Sequence, residues 1–509
     1  MKFSRISTAC AFFLVLLSLP ATPQSKDEEA DIIRIASGSR TLTLDPTRSV
    51  FTGSIETFGQ LYSRLLRRDK DGKLHPALAE SWEISEDGLD YTFHLREAGF
   101  SDGSPITAED VAYSILRMRD DPEAAYKAAV SEVHRAWAED EQTLRVQFLK
   151  PNAPFLESLE ICFLGVVSKK DIETRGRAAA FAEIPVTSGP YRVVEWRRND
   201  RVILEPNPYY WREGYPKNDG AELIEVIDVN TRMSMLRAGE VDAVRLVTLG
   251  LISDLADDPD YRVPEEPAMR VNIVLLNHDR PPFNDQRVRE AAALAIDLNK
   301  MFQVMNRGRG SVANSVFPYQ LLHYDPDFPS WDYDVDRAKQ LVEAAGAVGA
   351  EVVINFTAPD PDWEKAALIL HAYWAEIGLN VTIRKMDQAL YQQFLSDGDY
   401  NASVEWWYNE TFDPDLAVKW AVCGTCGNRS FYSNYQNDRV DELVALGTSE
   451  MNPKKRIEIY REIDRIAFRE VAQIPLYYTP WANAYSSSIE GLSFTPATQW
   501  TLEDAHHVR

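Results

Sequence analysis

The segment that decides the fold is "EVVINFTAPDPDWEKAALILHAYWAEIGLNVTIRK", residues 351–385. It begins with a β-type run, continues with a helical pattern that ends at Gly378, in the position of a left-handed cap, and closes with "NVTIRK". The helical stripe consists of Ala366, Ile369, Leu370, Tyr373, Trp374 and Ile377. Strand, helix and strand with short links predict two parallel strands joined by a right-handed crossover, and therefore an α/β sheet.

The next strand, "YNASVEWW" (400–407), leads into a mixed cluster of rings and acids, "EWWYNETFDPDLAVKW" (405–420). Open α/β folds place ligand crevices beyond the carboxyl ends of their strands, so we expect this cluster to line a crevice. Trp406 and Trp407 point to opposite faces of the strand. One of them is expected in the core and the other against a ligand or its cation, and the spacing does not say which. Tyr408 shares the face of Trp406 if the strand extends that far.

Composition and the amino terminus indicate an exported protein. The chain has 509 residues, 45% hydrophobic and 26% charged, with 54 basic against 78 acidic residues. That acidic balance argues against nucleic acid or an anionic membrane as the main partner. Residues 1–21 read as a secretory signal peptide: Lys2 and Arg5 precede an apolar run too short to span a bilayer, and cleavage is expected after Ala21.

Three cysteines lie beyond that leader: Cys162, Cys423 and Cys426. In an oxidising compartment "CGTCG" can form a local disulfide, a redox pair or half of a zinc site. We expect a disulfide, either Cys423–Cys426 or a pairing to Cys162. A redox role is disfavoured because no βαβ pattern of the thioredoxin type surrounds the motif.

Motifs for covalent chemistry are absent from the sequence, which has no nucleophile elbow, zinc-protease motif, Walker loop or dinucleotide-binding glycine motif. The amino-terminal half instead shows structural signals. A hairpin pattern surrounds Asp87-Gly88, and Thr107 with Asp110 forms a capping box before a helix. We therefore predict a protein that is not an enzyme and has no cofactor or metal.

The chain resembles the family 5 extracellular solute-binding proteins, which are the dipeptide, oligopeptide and nickel receptors of ABC importers. The resemblance runs in the family's order over nearly the whole chain after the leader. It is carried by "LHPALAESWEISEDGLDYTFHLREAGFSDGSPITAEDVAYSILRM" (74–118), "TSGPYRVVEW" (187–196), "NPYYW" (207–211), "NTRMSMLRAGEVDAV" (230–244), "VNIVLLNHDRPPFNDQRVREAAALAIDLNKM" (271–301), "YDVDRAKQLVEAAG" (333–346) and "AYWAEIGLNVTIRKMD" (372–387).

The resemblance implies a two-lobed α/β fold of the periplasmic-binding-protein (venus-flytrap) type, which closes on its ligand, with an extra α/β subdomain inserted in the first lobe. The expected boundaries follow the signal peptide 1–21. They are 30–50, 186–275 and 480–509 for the first lobe, 51–185 for the insertion and 276–479 for the second lobe.

The resemblance also implies site residues. In the peptide receptors a strand-end acid pairs with the ligand's α-amine, and that position is Glu410 here, where those receptors generally have Asp. Asp413 is expected to cap the helix near Pro414, with ligand contact as the alternative. Lys365 and Arg48 are candidates for a ligand carboxylate, although a solvated or structural role is favoured for both.

The implied partners are a small peptide-like ligand and an ABC permease of the inner membrane, with the chain a monomer in the periplasm. An opine, a glycoside or a nickel complex is the alternative ligand, and a secreted α/β hydrolase is the alternative function. A fold alone does not fix the ligand.

Overall fold

The computed structural model describes residues 30–69, 73–182, 184–358, 361–426, 432–496 and 499–508. The predicted leader therefore lies outside the described residues. The strands are β1 (Ile32–Ser37), β2 (Leu66–Arg68), β3 (Leu74–Pro76), β4 (Ala79–Ile84), β5 (Asp90–Leu95), β6 (Val133–Ala138), β7 (Thr143–Phe148), β8 (Tyr191–Arg197), β9 (Arg201–Pro206), β10 (Gly220–Glu225), β11 (Ala243–Arg245), β12 (Tyr261–Arg262), β13 (Arg270–Leu276), β14 (Ser311–Val312), β15 (Glu351–Ala358), β16 (Asn380–Asp387), β17 (Ala402–Tyr408), β18 (Ile474–Tyr478), β19 (Ala484–Ser486), β20 (Ile489–Glu490) and β21 (His506–His507).

The helices alternate with these strands along most of the chain. They are α1 (Thr52–Leu61), α2 (Ala108–Asp120), α3 (Phe155–Ser158), α4 (Lys169–Arg175), α5 (Arg177–Ala182), α6 (Val229–Arg237), α7 (Leu249–Ser253), α8 (Gln286–Leu294), α9 (Leu298–Asn306), α10 (Val335–Ala344), α11 (Pro361–Glu376), α12 (Gln388–Asp397), α13 (Pro414–Ala421), α14 (Asp438–Ser449) and α15 (Pro453–Glu470).

The first lobe contains a seven-stranded sheet in the order β12-β19-β11-β1-β10-β9-β8. Its central strand β1 runs parallel to both β10 and β11, and the remaining pairs are antiparallel. The register aligns Ser37 with Glu225 on one side and with Arg245 on the other. The carboxyl ends of three parallel strands therefore meet at one edge, where a ligand crevice is expected.

The second lobe contains a six-stranded sheet in the order β14-β18-β13-β17-β15-β16. Strand β15 is parallel to β16 along its whole length and to the start of β17, which confirms the crossover predicted from residues 351–385. Gly378 has a φ of 92°, as the predicted left-handed cap requires. Apolar side chains pack against both faces of the sheet, with α8 to α11 on one side and α13 to α15 on the other.

A four-stranded antiparallel sheet, β4-β5-β7-β6, lies between β1 and the return of the chain to the first lobe. The helix α2 begins with the predicted capping box, in which Thr107 and Asp110 each bond the other's backbone N–H. One continuous hydrophobic cluster joins this region to the first-lobe sheet. The inserted region is therefore built onto the first lobe rather than tethered to it.

The boundary expected at 275 differs from the structure. Strand β13 (Arg270–Leu276) pairs along its length with β17 and also with β18, so it belongs to the second-lobe sheet. Its side chains alternate between the two faces of that sheet and enter both cores, which is the physical reason for the difference. The other segment limits remain predictions.

Candidate ligand-binding site

A buried ion pair fixes the turn after β17. Asp413 caps α13 by accepting a hydrogen bond from the backbone N–H of Asp415, and Pro414 occupies the first helical turn, which confirms the predicted cap. Arg456 of α15 donates from two nitrogens to the two carboxylate oxygens of Asp413, at 2.6 and 2.9 Å. Both oxygens are therefore engaged within the second lobe, so the structure favours the structural role of Asp413 over ligand contact.

A neighbouring acid in the first turn of α13 extends this network. Asp415 pairs with Lys419 at 2.7 Å and accepts hydrogen bonds from the hydroxyls of Thr448 and Tyr460, at 2.6 and 2.9 Å. Since α13, α14 and α15 all contribute, three helices hold the chain that leaves β17. The backbone around Glu410 is thereby positioned before any ligand arrives.

Glu410 lies in a different environment, at the contact between the lobes. Its side chain is only 8% exposed, and it accepts a hydrogen bond from the hydroxyl of Tyr126 in the inserted region. The ring of Tyr126 stacks on Phe163, with centroids 4.5 Å apart. No lysine, arginine or histidine of the described residues pairs with this carboxylate, and burial raises the pKa of Glu410 to about 7.

The aromatic residues before Glu410 divide between core and crevice. Trp407 is buried in the second-lobe core, where it packs edge to face on Phe317 with centroids 6.2 Å apart. Trp406 and Tyr408 share the other face, with centroids 5.6 Å apart. Trp407 is therefore the core tryptophan, and Trp406 lies on the opposite face beside Tyr408.

Tyr408 makes the connection to the first lobe. Its hydroxyl donates to the backbone oxygen of Val50 at 3.3 Å, and its ring lies 6.4 Å from that of Trp481. Trp481 lies where the chain passes from β18 of the second lobe to β19 of the first. Tyr408 therefore lies at the junction between the lobes, together with Glu410.

The two candidate cations are not brought to this junction. Lys365, on the exposed side of α11, donates to the backbone oxygen of Val304 in α9 at 2.7 Å. Arg48 pairs with Asp121 at 2.8 Å and with Glu123 at 2.5 Å, both in the inserted region. Neither has a contact with Glu410 in the described structure, and their ligand roles lose support.

A third cation lies at the junction and was not recognised in the sequence. Arg245, at the carboxyl end of β11, is fully buried and pairs with Glu56 of α1. Trp500 donates its indole N–H to Glu56 at 3.3 Å, and Ser37 donates its hydroxyl at 3.4 Å. The available signal was an arginine within the otherwise apolar run 243–247, because a charge there must be buried with a partner.

The structure also shows which cysteines are paired. Cys423 and Cys426 form a disulfide, whereas Cys162 is a buried thiol in the first-lobe cluster. Burial raises the pKa of the Cys162 thiol to about 12, so it is not a thiolate at neutral pH. Of the two predicted pairings, the structure contains the local one.

The comparisons with known proteins agree with this architecture. A family model described as "Bacterial extracellular solute-binding proteins, family 5 Middle" matches residues 73–428. Heme-binding protein A of Haemophilus influenzae is 25% identical over 468 residues, covering 86% of this chain and 85% of its own. Glutathione-binding protein GsiB of Salmonella typhi is 27% identical over 485 residues, covering 92% and 93%.

Solved structures share the fold. DppA of Helicobacter pylori, in complex with the peptide STSA, has a TM-score of 0.84 at 24% identity and covers 94% of this chain and 98% of its own. AgaA of A. tumefacien R10, in complex with agropinic acid, has a TM-score of 0.85 at 24% identity, covering 94% and 99%. The two-lobed α/β fold predicted from the sequence is confirmed. Within the described ranges, no helix has both the length and the apolar character to cross a membrane.

The ion pair at the turn yields a stability prediction. We expect Asp413→Asn to lower the free energy of unfolding by about 3 to 5 kcal/mol, because it leaves the buried Arg456 without its charge partner. In urea unfolding, the double variant Asp413→Asn/Arg456→Met should lose less than the two single changes added together. Arg439→Gln, which removes an exposed pair with Glu462, should cost at most about 1 kcal/mol. Equal losses for Asp413→Asn and Arg439→Gln would contradict the assigned role.

The buried Glu410 yields a pH prediction. Its pKa is raised in the folded state, so its contribution to stability is complete below its unfolded pKa and is lost as pH rises through about 7. Ligand-free wild type should therefore lose stability relative to Glu410→Gln between pH 5 and 8, by on the order of 2 kcal/mol. The check is denaturant unfolding of both proteins at each pH. Glu442→Gln, at an exposed acid, is the control, and a pH-independent difference for Glu410→Gln would refute a raised pKa.

Proposed function

We propose that this chain, which belongs to the bacterial extracellular solute-binding proteins of family 5, is the receptor of an ABC importer and captures a di- or oligopeptide through the ligand's amine. The observation that supports this ligand is the burial of the Glu410 carboxylate. This carboxylate is buried at the junction of the two lobes with no cationic side chain among the described residues beside it, which is costly unless a ligand supplies the positive charge.

An ammonium group is the cation that suits this position. Its N–H groups can donate to Oε1 of Glu410, while the hydroxyl of Tyr126 keeps its hydrogen bond to Oε2. Binding would hold Glu410 in its ionised form and offset the burial that raises its pKa. The affinity for an α-amine is then expected to rise as the pH increases toward 7 and to fall again above about 8, where the amine itself loses its proton.

The rings beside Glu410 support a ligand with an apolar part. Trp406 and Tyr408 lie side by side on one face of β17, and both side chains are only partly buried. Rings in such a position stack on an apolar side chain or on a cation. The combination of a buried acid and an aromatic wall fits a peptide better than a sugar, which would need many polar partners.

Similar proteins bind chemically different ligands, so a second class of ligand has to be considered for this chain. The names of the relatives include binding proteins for di- and tripeptides, glutathione and heme, and AgaA holds agropinic acid. A non-peptide amine such as an opine therefore remains the second candidate, and Glu410 in place of the usual Asp is the residue that favours it. Family membership decides against the secreted hydrolase, because the family binds solutes.

Membership of this family of solute-binding proteins also supports delivery of the ligand to a membrane permease. Relatives such as the probable D,D-dipeptide-binding protein DdpA of Escherichia coli are periplasmic. We propose the same compartment for this chain, reached through the leader 1–21, with an inner-membrane ABC permease as partner and a monomer as the working form. Closure of the lobes on the ligand would present the surface that the permease recognises.

The test is native mass spectrometry of the protein purified from the periplasm, followed by release and fragmentation of any bound molecule. Co-purified peptides would support the proposal. Protein stripped by unfolding and refolding is then titrated with an equimolar library of dipeptides and tripeptides. Absence of any bound peptide in both experiments would reject a peptide ligand, and a bound amine of another class would establish the alternative.

Substitutions of Glu410 test the proposed contact with the ligand's amine most directly. We expect Glu410→Gln to weaken binding of library peptides by about 30-fold or more, because one partner of a buried charge pair is lost. Glu410→Asp, which keeps the charge but shortens the side chain, should retain a larger part of the affinity. N-acetylated peptides should bind wild type as weakly as unmodified peptides bind Glu410→Gln. Isothermal titration calorimetry at pH 7.5 measures all three, and equal affinity of wild type for acetylated and unmodified peptides would remove the assigned role.

A further inference from the structure

The feature that the proposed function leaves unexplained is the guanidinium of Arg245. It lies at the carboxyl end of β11, directly beside Ser37 at the end of β1, and thus at the crevice edge of the first-lobe sheet. The following residue, Leu246, has a φ of 55°, a left-handed conformation that bends the chain away immediately after the arginine. The side chain is 0% exposed.

The hydrogen bonds of Arg245 are incomplete. One terminal nitrogen, Nη1, donates to Glu56, whereas Nε and Nη2 have no hydrogen-bond partner among the described residues. Glu56 is well supplied by comparison, since it also accepts from Ser37 and Trp500. Within the part of the chain that the structure describes, the buried pair therefore lacks an acceptor and not a donor, and unmet donors on a buried cation are among the costliest groups to leave unpaired.

The rings around Arg245 limit how an acceptor can approach. The guanidinium carbon lies 3.9 Å from the ring centroid of Phe494 and 4.9 Å from that of Trp481. Rings stacked on a guanidinium leave its N–H edge as the place for a hydrogen-bonding partner. The unmet Nε and Nη2 lie side by side on one edge, which is the two-pronged arrangement that matches a carboxylate.

Tyr408 links this edge to Glu410. Burial first, and then the charge of Glu410, raises the pKa of the Tyr408 phenol, while the charge of Arg245 lowers it. The ring of Tyr408 also lies 6.4 Å from that of Trp481, and the guanidinium of Arg245 lies 4.9 Å from the centroid of the same Trp481 ring.

We propose that Arg245 binds the carboxylate of the ligand whose amine pairs with Glu410, so that the receptor selects short peptides with an unmodified carboxyl terminus. This inference rests on the proposed function and adds the second charged contact. Glu56 is then a positioning residue, which holds the guanidinium with one nitrogen and leaves the other edge for the ligand. Closure brings the two charges of the ligand to opposite charges on opposite lobes.

A second arginine at the junction is the competing candidate. Arg270 of β13 stacks on Trp406 at 5.3 Å and on Trp481 at 5.2 Å, and it donates to the hydroxyl of Thr479 at 3.0 Å. It belongs to the same lobe as Glu410, so it does not link the two lobes across a ligand. It is therefore the comparison variant in the test.

The test compares two probes on stripped protein: an equimolar library of free-acid dipeptides and the same dipeptides as carboxyl-terminal amides. Native mass spectrometry ranks the complexes, and calorimetry measures the best binder in both forms. Wild type should prefer the acid by about tenfold or more, the usual effect of losing a charged hydrogen-bonding partner. This comparison needs no variant, so it does not depend on the folding of a mutant.

The variants assign that preference to a residue. Glu56→Gln/Arg245→Met removes both charges, leaves no buried ion unpaired and should bind acids and amides equally. Arg245→Lys should keep part of the preference, and Arg270→Met should keep it in full whatever its affinity. Thermal unfolding verifies that each variant is folded. A purely structural Arg245 would change stability without changing the ratio of acid to amide.

The outcomes separate the two claims. Equal binding of acids and amides by wild type, or a preference that survives Glu56→Gln/Arg245→Met, overturns the role of Arg245 and leaves the amine contact of Glu410 intact. A preference lost in Arg270→Met instead moves the carboxylate contact to that residue and also overturns the assignment. If wild type binds neither library, the peptide proposal itself fails, and the inference fails with it.

Discussion

The candidate site depends on the buried pair between Asp413 and Arg456. Two hydrogen bonds of 2.6 and 2.9 Å join Arg456 of α15 to Asp413, the last residue before α13, and the same carboxylate caps that helix. Because β13 already pairs with β17 up to Tyr408, this anchor fixes the turn that carries Glu410 and not the strand itself. Because the anchor lies wholly within the second lobe, it can hold the turn whether the lobes are open or closed.

In contrast to this well-paired anchor, the two charged residues at the junction, Glu410 and Arg245, are incompletely paired among the described residues. Glu410 has a phenol but no cation, and Arg245 has one carboxylate contact with two further N–H groups unmet within the described structure. Each arrangement is unfavourable for the isolated protein, and apolar replacements could stabilise it. Incomplete pairing of this kind is more readily explained by a dipolar ligand than by folding, since folding alone would favour closing or removing both deficits.

The sequence predicted the features that local chemistry controls. Periodicity predicted the β15–α11–β16 crossover, and short-range side-chain spacing predicted the capping box at Thr107 and the cap at Asp413. It could not predict contacts between distant segments. Arg245 and Glu56 lie 189 positions apart, and Tyr126 and Glu410 lie 284 apart, so no pattern along the chain signals either pair. The division between Trp406 and Trp407 likewise depended on which face of β17 the helices cover.

The contact with Tyr126 gives a physical reason why position 410 has Glu here, where the peptide receptors generally have Asp. The extra methylene carries the carboxylate farther from β17, and here it reaches a hydroxyl that belongs to the inserted region of the other lobe. A shorter acid would need that region to approach more closely to make the same bond. The longer side chain thus couples the acid that we propose as the partner of the ligand's amine to the contact between the lobes.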